Sequence, residues 1–145
     1  MDYEALAIEM LGKMQALRKT RPQKHINESL HGEAFVLHYI AQRGGNVLPG
    51  EISGEMNVSS ARVAVALNSL ESKGLITRQI DTSDRRKILV RITPEGKALE
   101  EKHQRIVIEG AAKLLALLGE RDAVEYIRIT GRLAELSCDW EMPPL

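Results

Sequence analysis

"SSARVAVALNSLESKGLITRQIDTSDRRKILVRIT", residues 59–93, decides how the rest of the chain is read. Val63, Leu67 and Leu70 recur at helical spacing, so a helix with one buried stripe runs from Ser59, a good N-terminal cap, to about Lys73. Gly74 suits the residue just past a helix end, where the backbone turns left-handed and the chain reverses. "LITRQI" (75–80) then reads as a strand and "DTSD" (81–84) as a turn. In "KILVRIT" (87–93), Ile88, Val90 and Ile92 fall on one face, and Leu89, Arg91 and Thr93 on the other. A helix followed by a hairpin with a charged tip is the result.

Working outward, the segment before Ser59 predicts a second short helix. Pro49 suits its first turn, and Ile52 and Met56, with Val58 from the following turn, form its inner face. Before it, residues 29–43 predict a helix burying Leu30, Ala34, Leu37, Ile40 and Ala41, capped by Asn27 or Ser29 and ended by Gly44-Gly45. "RPQKHIN" (21–27) reads as a polar connector, with Pro22 stopping an N-terminal helix over 3–19 that carries Leu6, Met10, Leu11, Met14 and Leu17. Downstream, Thr93 and Pro94 open a long helix that reaches Leu118. Gly119 breaks it, and a last helix spans about 120–138 with Val124, Ile127, Leu133 and Leu136. The expected class is mainly α with a small β-hairpin wing. Its order is helix, helix, short strand, helix, helix, two-stranded hairpin, helix, helix: a winged helix-turn-helix. One domain is expected over 1–145, divided into a winged module over 29–96 and a helical dimerisation region over 1–28 and 97–145.

Charge gives the first functional indication. Twenty Lys and Arg balance twenty Asp and Glu, so an electrostatic role must come from how charge is placed. From residue 73 to 91 the bases Lys73, Arg78, Arg85, Arg86, Lys87 and Arg91 face only Asp81 and Asp84. That local excess flanks a helix of the size that enters a DNA major groove. On this helix Ser59, Ser60, Arg62 and Asn68 are available to the outside. Arg62 can donate two hydrogen bonds to a guanine, and Ser59 and Ser60 at the helix N-terminus can hold a phosphate. The single Cys138 precludes an intrachain disulfide. His25, His31, His38 and His103 include no pair four apart, so a local helical zinc site has no support, and no metal or cofactor is implied. Gly-rich phosphate loops and nucleophile–base motifs are missing, so an enzyme is not expected. Without a basic N-terminal region or a long apolar run, the chain is expected to be soluble and cytoplasmic, away from membranes.

"DRRKILVRITPEG" (84–96) resembles the wing signature of the MarR family of bacterial transcription regulators: Asp-x-Arg, a strand, then Leu/Ile-Thr-x-x-Gly. "LNSLESKGLITR" (67–78) resembles the family's exit from its recognition helix. The resemblance is specific over 58–96 and architectural elsewhere. It implies an intertwined homodimer that sets two winged modules on a pseudo-palindromic double-stranded DNA operator, with repression as the expected outcome. It also implies that Arg86 enters a minor groove while Asp84 holds it, with Arg85 and Lys87 beside it at the DNA. Val65 stands where many relatives carry a polar or basic residue; a thymine methyl is a suitable contact for it.

The apolar helices at the two ends predict a dimer on their own account, because they offer more apolar face than one small module covers. Relatives bind aromatic or lipophilic compounds where the dimer region meets the winged module, so the resemblance implies a small-molecule effector. His31 and His38, seven apart, with Tyr39 are the candidate ligand contacts, and they read equally as hydrogen-bonded structural groups. Peroxide-sensing relatives use a cysteine near the N-terminus, a position unlike that of Cys138. The alternatives are an effector-independent architectural DNA binder and a winged helix that binds a protein.

Overall fold

The computed structural model describes residues 1–141, and its core lies wholly within the middle of the chain. Helix α1 spans Tyr3–Arg18, α2 Arg21–Ser29, α3 Gly32–Arg43, α4 Pro49–Met56 and α5 Ser60–Ser72. Strands β1 (Ile76–Ile80) and β2 (Ile88–Ile92) pair antiparallel, Ile76 opposite Ile92 and Ile80 opposite Ile88. Helices α6 (Pro94–Leu118) and α7 (Glu120–Ser137) follow.

Val36, Leu37 and Ile40 of α3 meet Ile52 of α4, Val63, Leu67 and Leu70 of α5, and Val47, Leu75, Ile76 and Val90. Each helix therefore contributes one stripe, and the hairpin closes the cluster with the inner face of β2. Burial on that face peaks in the middle of the strand: Val90 is buried, Ile92 at the base half-buried, and Ile88 at the tip exposed. This is a winged helix-turn-helix, in which α4 and α5 form the helix pair and β1–β2 the wing.

Four readings of the sequence need correction. The connector over 21–27 is helix α2, because Pro22 stands in its first turn, where its missing N–H costs nothing, and Thr20 precedes it as the cap. The next helix starts at Gly32, not 29. Its cap is His31, while Ser29 spends its hydroxyl on the Ile26 carbonyl at 2.6 Å. Leu30 thus falls in the break between two helices and is 56% exposed, while Val36 takes a core place. The short strand expected after α3 contracts to one bridge, in which Val47 and Val90 exchange both backbone hydrogen bonds at 2.9 and 2.8 Å. A single residue pair suffices there to tie the loop before α4 to the wing.

Elsewhere the local chemistry agrees with the sequence. Ser59 Oγ accepts from the Arg62 amide at 3.3 Å, Gly74 takes φ +72°, and Thr93 Oγ1 accepts from the Gly96 amide at 3.0 Å. Glu51 adds a cap to α4 by accepting from the Leu48 amide at 2.8 Å. The junction of wing and α6 is tight. A Cβ on Gly96 would lie 2.0 Å from the Leu75 carbonyl oxygen, so only glycine lets the first turn of α6 rest on the start of β1. Thr93 secures the same place, donating its amide to Leu75 O at 3.0 Å and its hydroxyl to Gly74 O at 2.7 Å.

The terminal helices differ. α1 and α7 have no buried residue. Leu11, Met14, Val124, Ile127, Leu133 and Leu136 all remain more than half exposed. No helix among the described residues is long and apolar enough to cross a membrane.

Candidate nucleic-acid interface

Two exposed surfaces meet the requirements for reading DNA: the outer face of α5 and the wing tip. On α5 the packing of Val63, Leu67 and Leu70 leaves Ser60, Arg62, Val65 and Asn68 outside, with Val65 69% exposed. Ser59 uses its hydroxyl as the helix cap, so Ser60 is the freer of the two serines at this N-terminus. Arg62 lies to one side of the helix, on an open groove of about 710 Å³ that also contains Glu33, Glu55 and Phe35.

The wing tip is organised by two aspartates. Asp81 accepts from the Ser83 amide at 2.9 Å and the Ser83 hydroxyl at 2.8 Å, and these bonds hold its carboxyl below the ordinary carboxylate range. The Asp81 amide donates to Lys87 O and the Lys87 amide to Asp84 O, both at 2.9 Å, which closes the loop. Asp84 Oδ1 accepts from the Arg86 amide at 3.1 Å and from its Nε at 3.2 Å. The Arg86 side chain is nevertheless 92% exposed, against 30% for Asp84. A guanidinium held at one nitrogen and open at the others is aimed before any partner arrives, which lowers the entropy lost on binding.

The positive excess is narrower than the sequence tally. Lys73 Nζ is 2.7 Å from Glu33 of α3, and Ser69 also helps hold the Glu33 carboxyl below its ordinary range. Arg78 donates twice to Glu71, at 3.0 and 3.1 Å; each raises the other's preference for the charged form. Arg91 is hydrogen-bonded to Asn46. These three bases brace the module, so the charge left at the tip is that of Arg85, Arg86 and Lys87.

The profile of the MarR family matches residues 30–87, the stretch from the start of the winged module to the wing tip. The chain is 28% identical over 137 residues to the HTH-type transcriptional repressor MdtR of Bacillus subtilis, covering 92% of this chain and 79% of that protein. The likeness to the MarR family is thus carried by the winged module. Its fold aligns with the crystal structure of YusO from Bacillus subtilis at a TM-score of 0.70 and 27% identity, across 93% of this chain and 99% of that one. Streptococcus pneumoniae FabT, solved in complex with DNA, has the same fold at a TM-score of 0.67 and 21% identity, across 97% and 100% of the two chains. The family consists of transcription regulators and not enzymes.

The three candidate effector contacts do not converge. His38 Nδ1 lies 2.6 Å from Oε1 of Glu100, a buried carboxylate on α6, and joins the winged module to the long helix. Tyr39 accepts from Arg43 at 2.7 Å and lies under its guanidinium. His31 alone of the three lines open space, at the α1–α2 elbow and along the Arg62 groove. Sequence spacing placed the two histidines on one face but gave no sign of Glu100, 62 residues away from His38.

Proposed function

We infer that the protein is a homodimeric, sequence-specific double-stranded DNA-binding regulator, acting in the cytoplasm as a repressor on a pseudo-palindromic operator. The observation that carries this is the wing tip. Arg86 is fully presented yet held by Asp84, next to a recognition helix whose exposed face carries no acid from Ser60 to Asn68. Narrow A·T-rich minor grooves carry enhanced negative potential and favour such a guanidinium. Arg85 and Lys87 supply phosphate contacts, Ser59 and Ser60 hold a phosphate at the α5 N-terminus, and Val65 and Asn68 enter the major groove. Arg62, on the flank of α5, reaches a base at the edge of the half-site. MdtR, a repressor by name, and FabT, seen on DNA, support the same direction.

The homodimer follows from the apolar faces of α1, α6 and α7, which a second copy would cover. We assign 1–28 and 97–145 to that interface and 29–96 to the DNA module. A two-fold dimer would place its recognition helices about 34 Å apart, one turn of DNA. A small-molecule effector of aromatic or lipophilic character, as is typical of the family, would act by changing that separation. His31 is its best-placed contact among the three candidates.

Fluorescence anisotropy on the DNA upstream of the protein's own gene, with an unrelated duplex at the same salt, tests the reading. Preference for the upstream DNA, lost in Arg86→Ala, is expected. Equal, weak binding to both duplexes would count against an operator there, and an Arg86→Ala variant that binds as the wild type would remove the wing from the interface.

A further inference from the structure

The direction in which α5 presents its side chains carries more information than their identities. At roughly 100° per residue, the buried stripe Val63, Leu67, Leu70 stands opposite a ridge formed by Ala61, Val65, Asn68 and Ser72. All four are exposed. Arg62 stands about 80° round from that ridge, toward α3 and α4, where it lines the groove with Glu33 and Glu55, a groove whose rim Val65 also reaches. The line of side chains that would point straight into a major groove therefore bears no charge, and its first half is small and apolar.

We infer that this ridge reads a thymine-and-adenine core in each half-site, with Ala61 and Val65 against thymine C5-methyl groups and the Asn68 amide bidentate on an adenine. This rests on the DNA-binding reading given above and specifies the sequence class it selects. Guanine offers two acceptors, O6 and N7, best met by Arg or Lys, and the ridge has neither. Adenine offers N7 as acceptor and N6–H₂ as donor, the complement of a carboxamide. Thymine is the base with a methyl in the major groove, and Val65, 69% exposed, is a large apolar group with no cover in the chain. Cytosine presents only a donor at this edge and would leave the amide half-satisfied. The wing leans the same way, since the groove that best accepts Arg86 is A·T-rich. Phosphate affinity then comes from the α5 N-terminus and the wing, Arg62 reads a base at the edge of the half-site, and the choice of core sequence comes from the neutral ridge.

The test is selection by the full-length protein from a pool of random-sequence duplexes, then anisotropy on the enriched site with single-atom changes. Replacing a core thymine by deoxyuridine removes only the methyl, and should weaken binding about fourfold for each methyl contacted. Val65→Ala should weaken the thymine duplex by a similar factor and become indifferent to the uracil change. Replacing the contacted adenine by 7-deazaadenine, or making Asn68→Ala, should cost roughly 5- to 100-fold, and the two losses should not add. Both variants alter exposed helix positions, and far-ultraviolet circular dichroism verifies that they remain folded. Half-sites enriched in G·C at the core, or wild-type protein that binds thymine and uracil duplexes equally, would overturn the inference while leaving an operator binder intact. Failure to enrich any sequence would instead remove the sequence-specific reading beneath it.

Discussion

The winged module and the terminal helices draw on the same aliphatic residues and treat them in opposite ways. Among the described residues the buried hydrophobic ones all lie between Val36 and Val90, whereas α1 and α7 bury none of theirs. Apolar content is similar in the two regions; what differs is the presence of a second layer within the chain. The module has three helix stripes and a sheet face to close on each other. The terminal helices have apolar faces that no second layer of the described chain covers, and in the proposed dimer a second copy covers them. One region should answer to its own packing, the other to protein concentration.

The largest effect should come from Leu67→Ala, at the centre of the closed core. It should cost about 2–5 kcal/mol in urea unfolding, by the same amount at every protein concentration. Gly96→Ala should come close behind, at about 1–3 kcal/mol or more, because the intruding methyl meets backbone at Leu75 and not a flexible side chain. Leu133→Glu reverses the pattern. In sedimentation equilibrium it should shift dimer to monomer, and its unfolding midpoint should lose its dependence on protein concentration. If that midpoint were independent of concentration in the wild type, the contrast between the regions would fail.

Smaller effects divide the proposed DNA-facing surface in the same way. Arg62→Ala should cost about 1–3 kcal/mol on an operator and little on random DNA. Lys87→Ala, which on the proposed reading removes a phosphate contact, should weaken both equally and lower the slope of log affinity against log salt by about one. The smallest is a pH effect at the wing. The carboxyl of Asp81 is held low by Ser83, so its bonds stabilise the folded tip above the ordinary carboxylate range. That contribution should fade as pH falls below about 4, seen as faster amide exchange at Ser83 before the core amides respond.

How much of this was legible depends on the range of the interaction. The stripe of α5, its Ser59 cap, the Gly74 reversal and the alternation of β2 are local patterns, and they read directly. Helix α2 is hard to read because Pro22 is ambiguous: the same ring that ends a helix from within begins one from its first turn. Missing that helix shifted the start of α3 and placed Leu30 in a core it does not reach. The charge tally failed through distance. Glu33 lies 40 residues from Lys73, so a sum along the chain cannot see that this base is already paired. The ridge of α5 was partly legible; Val65 and Asn68 stood out by type, while Ala61 is noticed only once the buried stripe fixes the rotation of the helix.

The contact at Gly96 has a mechanical consequence. α6 is a continuous helix of 25 residues, about 37 Å long, whose first turn rests on the same backbone that starts the wing. With Thr93 bonded to Gly74 and Leu75, and Glu100 bonded to His38, the near end of this shaft is joined to the module at several points. A tilt of roughly 5° at the near end would displace the far end by roughly 3 Å, and the same tilt imposed from the far end would turn the wing with it. The protein thus has a lever whose short arm is the winged module, and its gain is set by the length of one helix.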